Sequence, residues 1–135
     1  MRDLKAFEGT WILSRRVENA LGEDATLSGL ARFAPEGAGL RLTERGEMRI
    51  GAQSLQAERS YLWQAAGPMI AVRFSDGRFF HDFDPLAERP QARHDCAPDL
   101  YRVTYDFSAW PDWSSSWKVS GPRKDYLMQT SYRRA

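Results

Sequence analysis

Three residues of this chain are suited to metal or nucleophilic chemistry: His81, His94 and Cys96. Neutral imidazole and thiolate are ligands for zinc and other soft divalent metals, and a single imidazole inside a barrel can bind haem axially. His94 and Cys96 lie two residues apart, so on an extended segment they share one face. An antiparallel register centred on the intervening loop, which carries Pro85 and Pro90, would set His81 opposite His94. The same trio supports a thiol reading in which Cys96 is the nucleophile, His94 or His81 its base and Asp99 the orienting carboxylate. Asp95 points to the other face of that segment and cannot orient His94 without a bulge. No Cys-x-x-Cys or His-Glu-x-x-His spacing occurs. The expected role of the histidines is therefore hydrogen bonding in a wet interior, with no metal or cofactor assigned; a metal-, haem- or thiol-dependent enzyme is the alternative.

A second set points to binding. Alternation places Arg15, Arg59, Tyr61 and Tyr126 on faces they share with apolar neighbours, and His81, His94, Tyr101 and Tyr105 fall on inner faces as well. A guanidinium buried without a partner costs several kcal/mol, so each inward arginine must meet an acid, carbonyls, water or an anion. Glu44 and Glu58 are candidate protein partners. Arg123 follows Gly121-Pro122 at a turn and would project at a barrel mouth, whereas Lys124 reads as a solvated hairpin tip. Trp110 and Trp117 read as corner packing and Trp113, beside Asp112 and three serines, as exposed.

Short strands must position these groups. Phe7 to Val17, Ala25 to Ala34, Leu40 to Met48, Leu55 to Gln64, Met69 to Phe74, Arg78 to Phe83, Gln91 to Cys96, Asp99 to Phe107, Ser115 to Ser120 and Asp125 to Arg134 all read as strands, after a helical turn within Met1 to Ala6. Pro35 to Gly39 reads as a break. Ser75-Asp76-Gly77 carries the Asp-Gly hairpin signal. Tyr101, Val103, Tyr105 and Phe107 share one face, and Arg102, Thr104 and Asp106 the other. Turn signals every 8–12 residues without a long helix imply an antiparallel sandwich or barrel. The large polar groups on inner faces favour the barrel, because a dry sandwich core could not satisfy them.

The chain of 135 residues is expected to form one domain, residues 1–135. Sixteen arginines and three lysines stand against 18 acids, a net charge of +1, which provides no field for nonspecific nucleic-acid binding. No apolar run approaches the roughly 18 residues that span a bilayer. One cysteine and the lack of a basic-plus-apolar leader read as cytoplasmic.

Gly9-Thr10-Trp11 after a helical turn, together with Arg133 and Arg134 on the last strand, resembles the calycin superfamily. The resemblance implies that Trp11 and one of these arginines close an end of the barrel. The segments FEGTW, SDGRFFHDF, HDCAPDLYRVTYDF and WKVSGPRKDYLMQTSYRR resemble an uncharacterised bacterial family, domain of unknown function 6314, which implies a lipocalin-like barrel and brings no activity with it. The expectation is an all-β, up-and-down antiparallel barrel of about 8–10 strands. Its lumen is expected to bind a small amphipathic anionic ligand through Arg15, Arg59, Tyr61, His81, His94, Tyr101, Tyr105, Arg123 and Tyr126. A homodimer is a further expectation.

Overall fold

The computed structural model describes residues 1–135. A 3-10 turn, η1 (Leu4–Phe7), precedes ten strands: β1 (Gly9–Asn19), β2 (Ala25–Glu36), β3 (Gly39–Ile50), β4 (Gln53–Ala66), β5 (Met69–Phe74), β6 (Phe79–Phe83), β7 (Gln91–Cys96), β8 (Asp99–Asp106), β9 (Trp113–Ser120) and β10 (Asp125–Arg134). All pair antiparallel in the order β6-β5-β4-β3-β2-β1-β10-β9-β8-β7. Every pair except β1 with β10 joins consecutive strands, which makes an up-and-down barrel. Only the consecutive pair β6 and β7 lacks a ladder, so the barrel has one seam.

The strands end where the expected alternation ends, to within a few residues. The main difference lies at Pro35, which sits inside β2 rather than breaking it; the turn is Gly37-Ala38, with Gly37 at φ +58°. A second difference lies in β6. Val72 pairs with His81 but Arg73 with Phe79, so Phe80 is an extra residue, and this bulge turns both Phe80 and His81 inward. The hairpin at Ser75-Asp76-Gly77 forms as expected, with Gly77 at φ +93° and its N–H donating to the Phe74 carbonyl over 2.9 Å.

Inward positions alternate along each strand, and the buried set forms one continuous core. At one end η1 covers the barrel. Phe7 is fully buried, packing edge-on to Phe107, Trp110 and Trp113, and the Trp11 indole N–H donates to the Phe7 carbonyl over 2.9 Å. Arg134 lies 3.9 Å above the Trp11 ring and donates to the Ala6 and Glu8 carbonyls. Of the two arginines expected to meet Trp11, it is Arg134 that does so. Gly9 is required beneath it: its φ is +120°, and a Cβ there would stand 2.8 Å from the Arg134 Nη1. Trp113 is buried in this cluster, contrary to the expected exposure, because its inward parity in β9 outweighs its polar neighbours.

The other end is open. Inward-facing Val17, Met48, Ala57, Arg59, Tyr61, His94, Tyr101 and Tyr126 are only half-buried there. The open rim is bordered by the turns between β1 and β2, β3 and β4, β5 and β6, β7 and β8, and β9 and β10.

Candidate binding site

The barrel centre is organised by Glu44 on β3, whose side chain is 1% exposed. Arg15 Nη2 donates to its Oε1 over 2.8 Å, Arg59 Nε to the same oxygen over 2.6 Å, and the Tyr132 hydroxyl to Oε2. Arg15 Nε also donates to Thr130 Oγ1 over 2.8 Å. Register explains the convergence: Arg15 pairs with Thr130, and Glu44 pairs with Ala31 on one side and Arg59 on the other. Burial alone would raise the Glu44 pKa. The charges of Arg59 and Arg15, with the Tyr132 and Arg15 hydrogen bonds, outweigh it and hold the carboxyl down to about 2. Burial and the adjacent carboxylate both raise the Tyr132 hydroxyl. Glu44 is thus the partner for both inward arginines. Glu58, the other candidate, faces outward and pairs with Arg45 over 3.1 Å.

The two arginines end differently. Arg15 is enclosed, whereas the Arg59 side chain is 30% exposed and reaches the open end. Its guanidinium lies 4.7 Å from the Trp117 ring and 5.2 Å from Tyr61. Only Nε is hydrogen-bonded within the protein, so both terminal nitrogens are free to donate.

Around Arg59 the mouth is aromatic. Phe80 stacks on Phe74 at 4.7 Å and meets Trp117, His94 and Tyr101 edge-on at 5.1, 5.2 and 5.6 Å. Tyr61 packs edge-on to Trp117 at 6.1 Å. Burial raises the hydroxyl pKa values of Tyr61 and Tyr126, so both are neutral donors at pH 7. Lys124 Nζ donates to the Tyr101 hydroxyl over 2.9 Å and pairs with Asp99 at 3.2 Å. It is therefore part of the rim rather than the solvated tip expected, held there by two partners the turn brings close. Arg123 is exposed and has no hydrogen bond to the protein.

Inward from this layer the lumen is filled. The expected hollow is reduced to a chamber of about 20 Å³ among Glu44, Arg59, Trp63, His81, Tyr105 and Trp113, because aromatic side chains occupy the space. Larger concavities are grooves on the outer surface; one of about 430 Å³ lies between β1, β9, β10 and the connection leading to Trp113.

His81 and Tyr105 line the chamber. His81 Nε2 and the Tyr105 hydroxyl share a hydrogen bond of 2.8 Å across the seam. Burial, and secondarily the charge His94 would carry, lower the His81 pKa to about 3, so its ring is neutral at pH 7. Tyr105 is raised well above its usual value by burial. The expected convergence of His81, His94 and Cys96 does not occur. β6 and β7 do not pair, His94 stands opposite Tyr101, Phe80 lies between the imidazoles, and Cys96 is exposed. No group of three His, Cys, Asp or Glu side chains is placed to hold a metal ion.

Of the nine residues expected to bind, Arg59, Tyr61, His94, Tyr101 and Tyr126 meet at the mouth. Arg15, His81 and Tyr105 lie deeper, and Arg123 lies outside. Sequence reading missed Tyr132, the third partner of Glu44, and singled out Trp117 without its role as the platform under Arg59. The parity of Tyr132 with Tyr126, Met128 and Thr130 along β10 was the available signal.

A family model matches residues 7–134. The chain belongs to DUF6314, a family of unknown function. No match is found among curated proteins. Among solved structures, the DUF6314 barrel is similar to the S-type phycobiliprotein lyase CpeS from Guillardia theta, with a TM-score of 0.64 and 7% identity, covering 98% of this chain and 90% of that one. It is also similar to a DUF3598-family protein of unknown function from Nostoc punctiforme, with a TM-score of 0.61 and 10% identity, covering 98% of this chain and 49% of that one. At these identities the likeness concerns the fold: a nearly closed calycin-like barrel, as the Gly-x-Trp and terminal arginine imply.

Proposed function

We propose that this protein binds a small amphipathic monoanion at its open end, with the anionic head on Arg59 and the apolar body against the aromatic rings of the mouth. One observation carries the reading: two guanidiniums share a single buried carboxylate, and the part-exposed Arg59 has no protein acceptor on its terminal nitrogens. The Lys124–Asp99 pair at the rim is neutral overall, so one positive charge remains for a ligand. A planar guanidinium suits a carboxylate, to which it can donate two hydrogen bonds. Trp117 beneath Arg59 keeps that group from rotating away. The seat is the mouth and not the deep lumen, which holds no space for an amphiphile. Tyr61, Tyr101, Tyr126 and His94 would supply polar contacts along the ligand. The likeness to a lyase barrel is in keeping with an interior that serves a ligand as well as packing.

Dodecanoate, dodecanol and dodecyltrimethylammonium, titrated against tryptophan fluorescence, test the reading. Binding of dodecanoate alone is expected, and Arg59→Gln should weaken it roughly 10- to 100-fold, the scale of a lost charge-assisted pair. Glu44 keeps Arg15 and Tyr132 in that variant, so the barrel should still fold. Equal affinity for dodecanol, or unchanged affinity in Arg59→Gln, sinks the proposal.

A further inference from the structure

Behind Arg59 the chamber of about 20 Å³ is a site of a different kind. It exceeds the roughly 10–15 Å³ that one water-sized particle needs and is far too small for an amphiphile. Trp63 and Trp113 both line it, and both indole N–H groups are buried without a protein acceptor; the Nδ1 of His81, on the same wall, is also unpartnered. An indole nitrogen can only donate, so its complement must be an acceptor.

Charge narrows the class. The ionised groups at the chamber are Glu44 and Arg59, with Arg15 directly behind Glu44, which makes two positive charges to one negative. Both Glu44 oxygens already accept hydrogen bonds, from Arg15, Arg59 and Tyr132. Of the hydroxyls on the wall, Tyr132 is committed to Glu44 and Tyr105 to His81, while those of Ser115 and Tyr61 can turn a proton toward an acceptor.

We propose that the chamber binds one small monovalent anion of halide size, held by the indole N–H groups of Trp63 and Trp113 and balanced by the surplus guanidinium charge. The site stands on the chamber and its unpartnered donors, and the wall it shares with the mouth is Arg59, Tyr61 and Trp117. A halide in the chamber and a carboxylate in the mouth would draw on the same positive charge, so each should weaken the other.

Thermal unfolding of the full chain in sodium bromide, sodium chloride and sodium gluconate at equal ionic strength tests this, alongside anomalous diffraction from a bromide-soaked crystal. Bromide and chloride should raise Tm saturably, by roughly 3 °C, and gluconate should not. The rise should vanish in Trp113→Phe, and an anomalous peak should lie between the two indoles of the unmodified protein. Superimposable melting curves in the three salts, or a bromide-soaked crystal with no peak in the chamber, overturns the proposal. The diffraction test needs no variant to fold. Dodecanoate binding without a bromide peak would overturn the chamber site alone and leave the mouth reading intact.

Discussion

At the scale of single residues, the buried groups set how stability responds to pH. His81 has a folded pKa of about 3 against 6.5 when free, so its contribution is fully present above pH 6.5 and is lost as pH falls toward 3. Glu44, lowered to about 2, acts with the same sign in a lower window: its contribution is present above about 4.5 and is lost as pH falls through 2. Between pH 6.5 and 5, protonation of the unfolded His81 therefore dominates this pair. Unfolding free energy from urea titrations should drop by about 1.4 kcal/mol per pH unit toward the acid end of that window. In His81→Gln, which removes the titration, the slope should flatten, and an unaltered slope would show that His81 is not the group concerned. The Glu44 cluster follows different energetics. Its desolvation offsets much of its Coulombic gain, so its main effect is to fix which side chains meet at the barrel centre.

At the scale of elements, close strand approach decides where side chains are absent. Gly29 on β2 pairs with Gly46 on β3, and Gly46 pairs in turn with Ala57 on β4, all facing inward. A Cβ on Gly29 would overlap the Arg45 carbonyl oxygen, and one on Gly46 the Ser28 carbonyl oxygen, both rigid backbone atoms. These two glycines let the sheet bend tightly, and neither needs a left-handed backbone. Gly46→Ala should therefore lower stability by about 3 kcal/mol or more, at the severe end for a single methyl, because the strands must part. Chemical denaturation measures it; a loss under 1 kcal/mol would mean the bend is softer than the contacts imply. The element scale also explains the arginine excess. Exposed pairs such as Arg41–Glu36, Arg45–Glu58, Arg49–Glu47 and Arg93–Asp95 hold part of it in solvent, where each contributes little.

At the scale of the whole molecule, the seam is the weak line. β6 and β7 each have one ladder instead of two; the 84–90 connection joins them, and the His81–Tyr105 hydrogen bond ties β6 to β8 across the seam. That connection is pinned by Arg2, which donates to the Pro85 and Ala87 carbonyls, and by hydrogen bonds from Tyr105 and Phe107 to Pro90 and Glu88. Amides of β6 and β7 that face the seam should exchange with deuterium well before those of β1 and β10, which are paired on both sides. Protection in β6 and β7 equal to that in β1 would indicate that the barrel closes in solution.

Alternation along the chain determined by itself that the tyrosines, Arg15 and Arg59 face inward, because a period of two is a local property of each strand, and those inward polar groups are what favoured a barrel over a sandwich. The need to pair those arginines marked Glu44 as a partner, and the resemblance to the calycins, rather than alternation, implied Trp11 with a terminal arginine as the closure. Tertiary structure alone decided which inward groups meet. His81, His94 and Cys96 share plausible parity but lie beside an unpaired seam, so register never brings them together. Trp113 and Lys124 look polar in their sequence surroundings, yet long-range pairing buries the first and ties the second to Tyr101. The filling of the lumen is a property of volume summed over ten strands, which no single strand encodes.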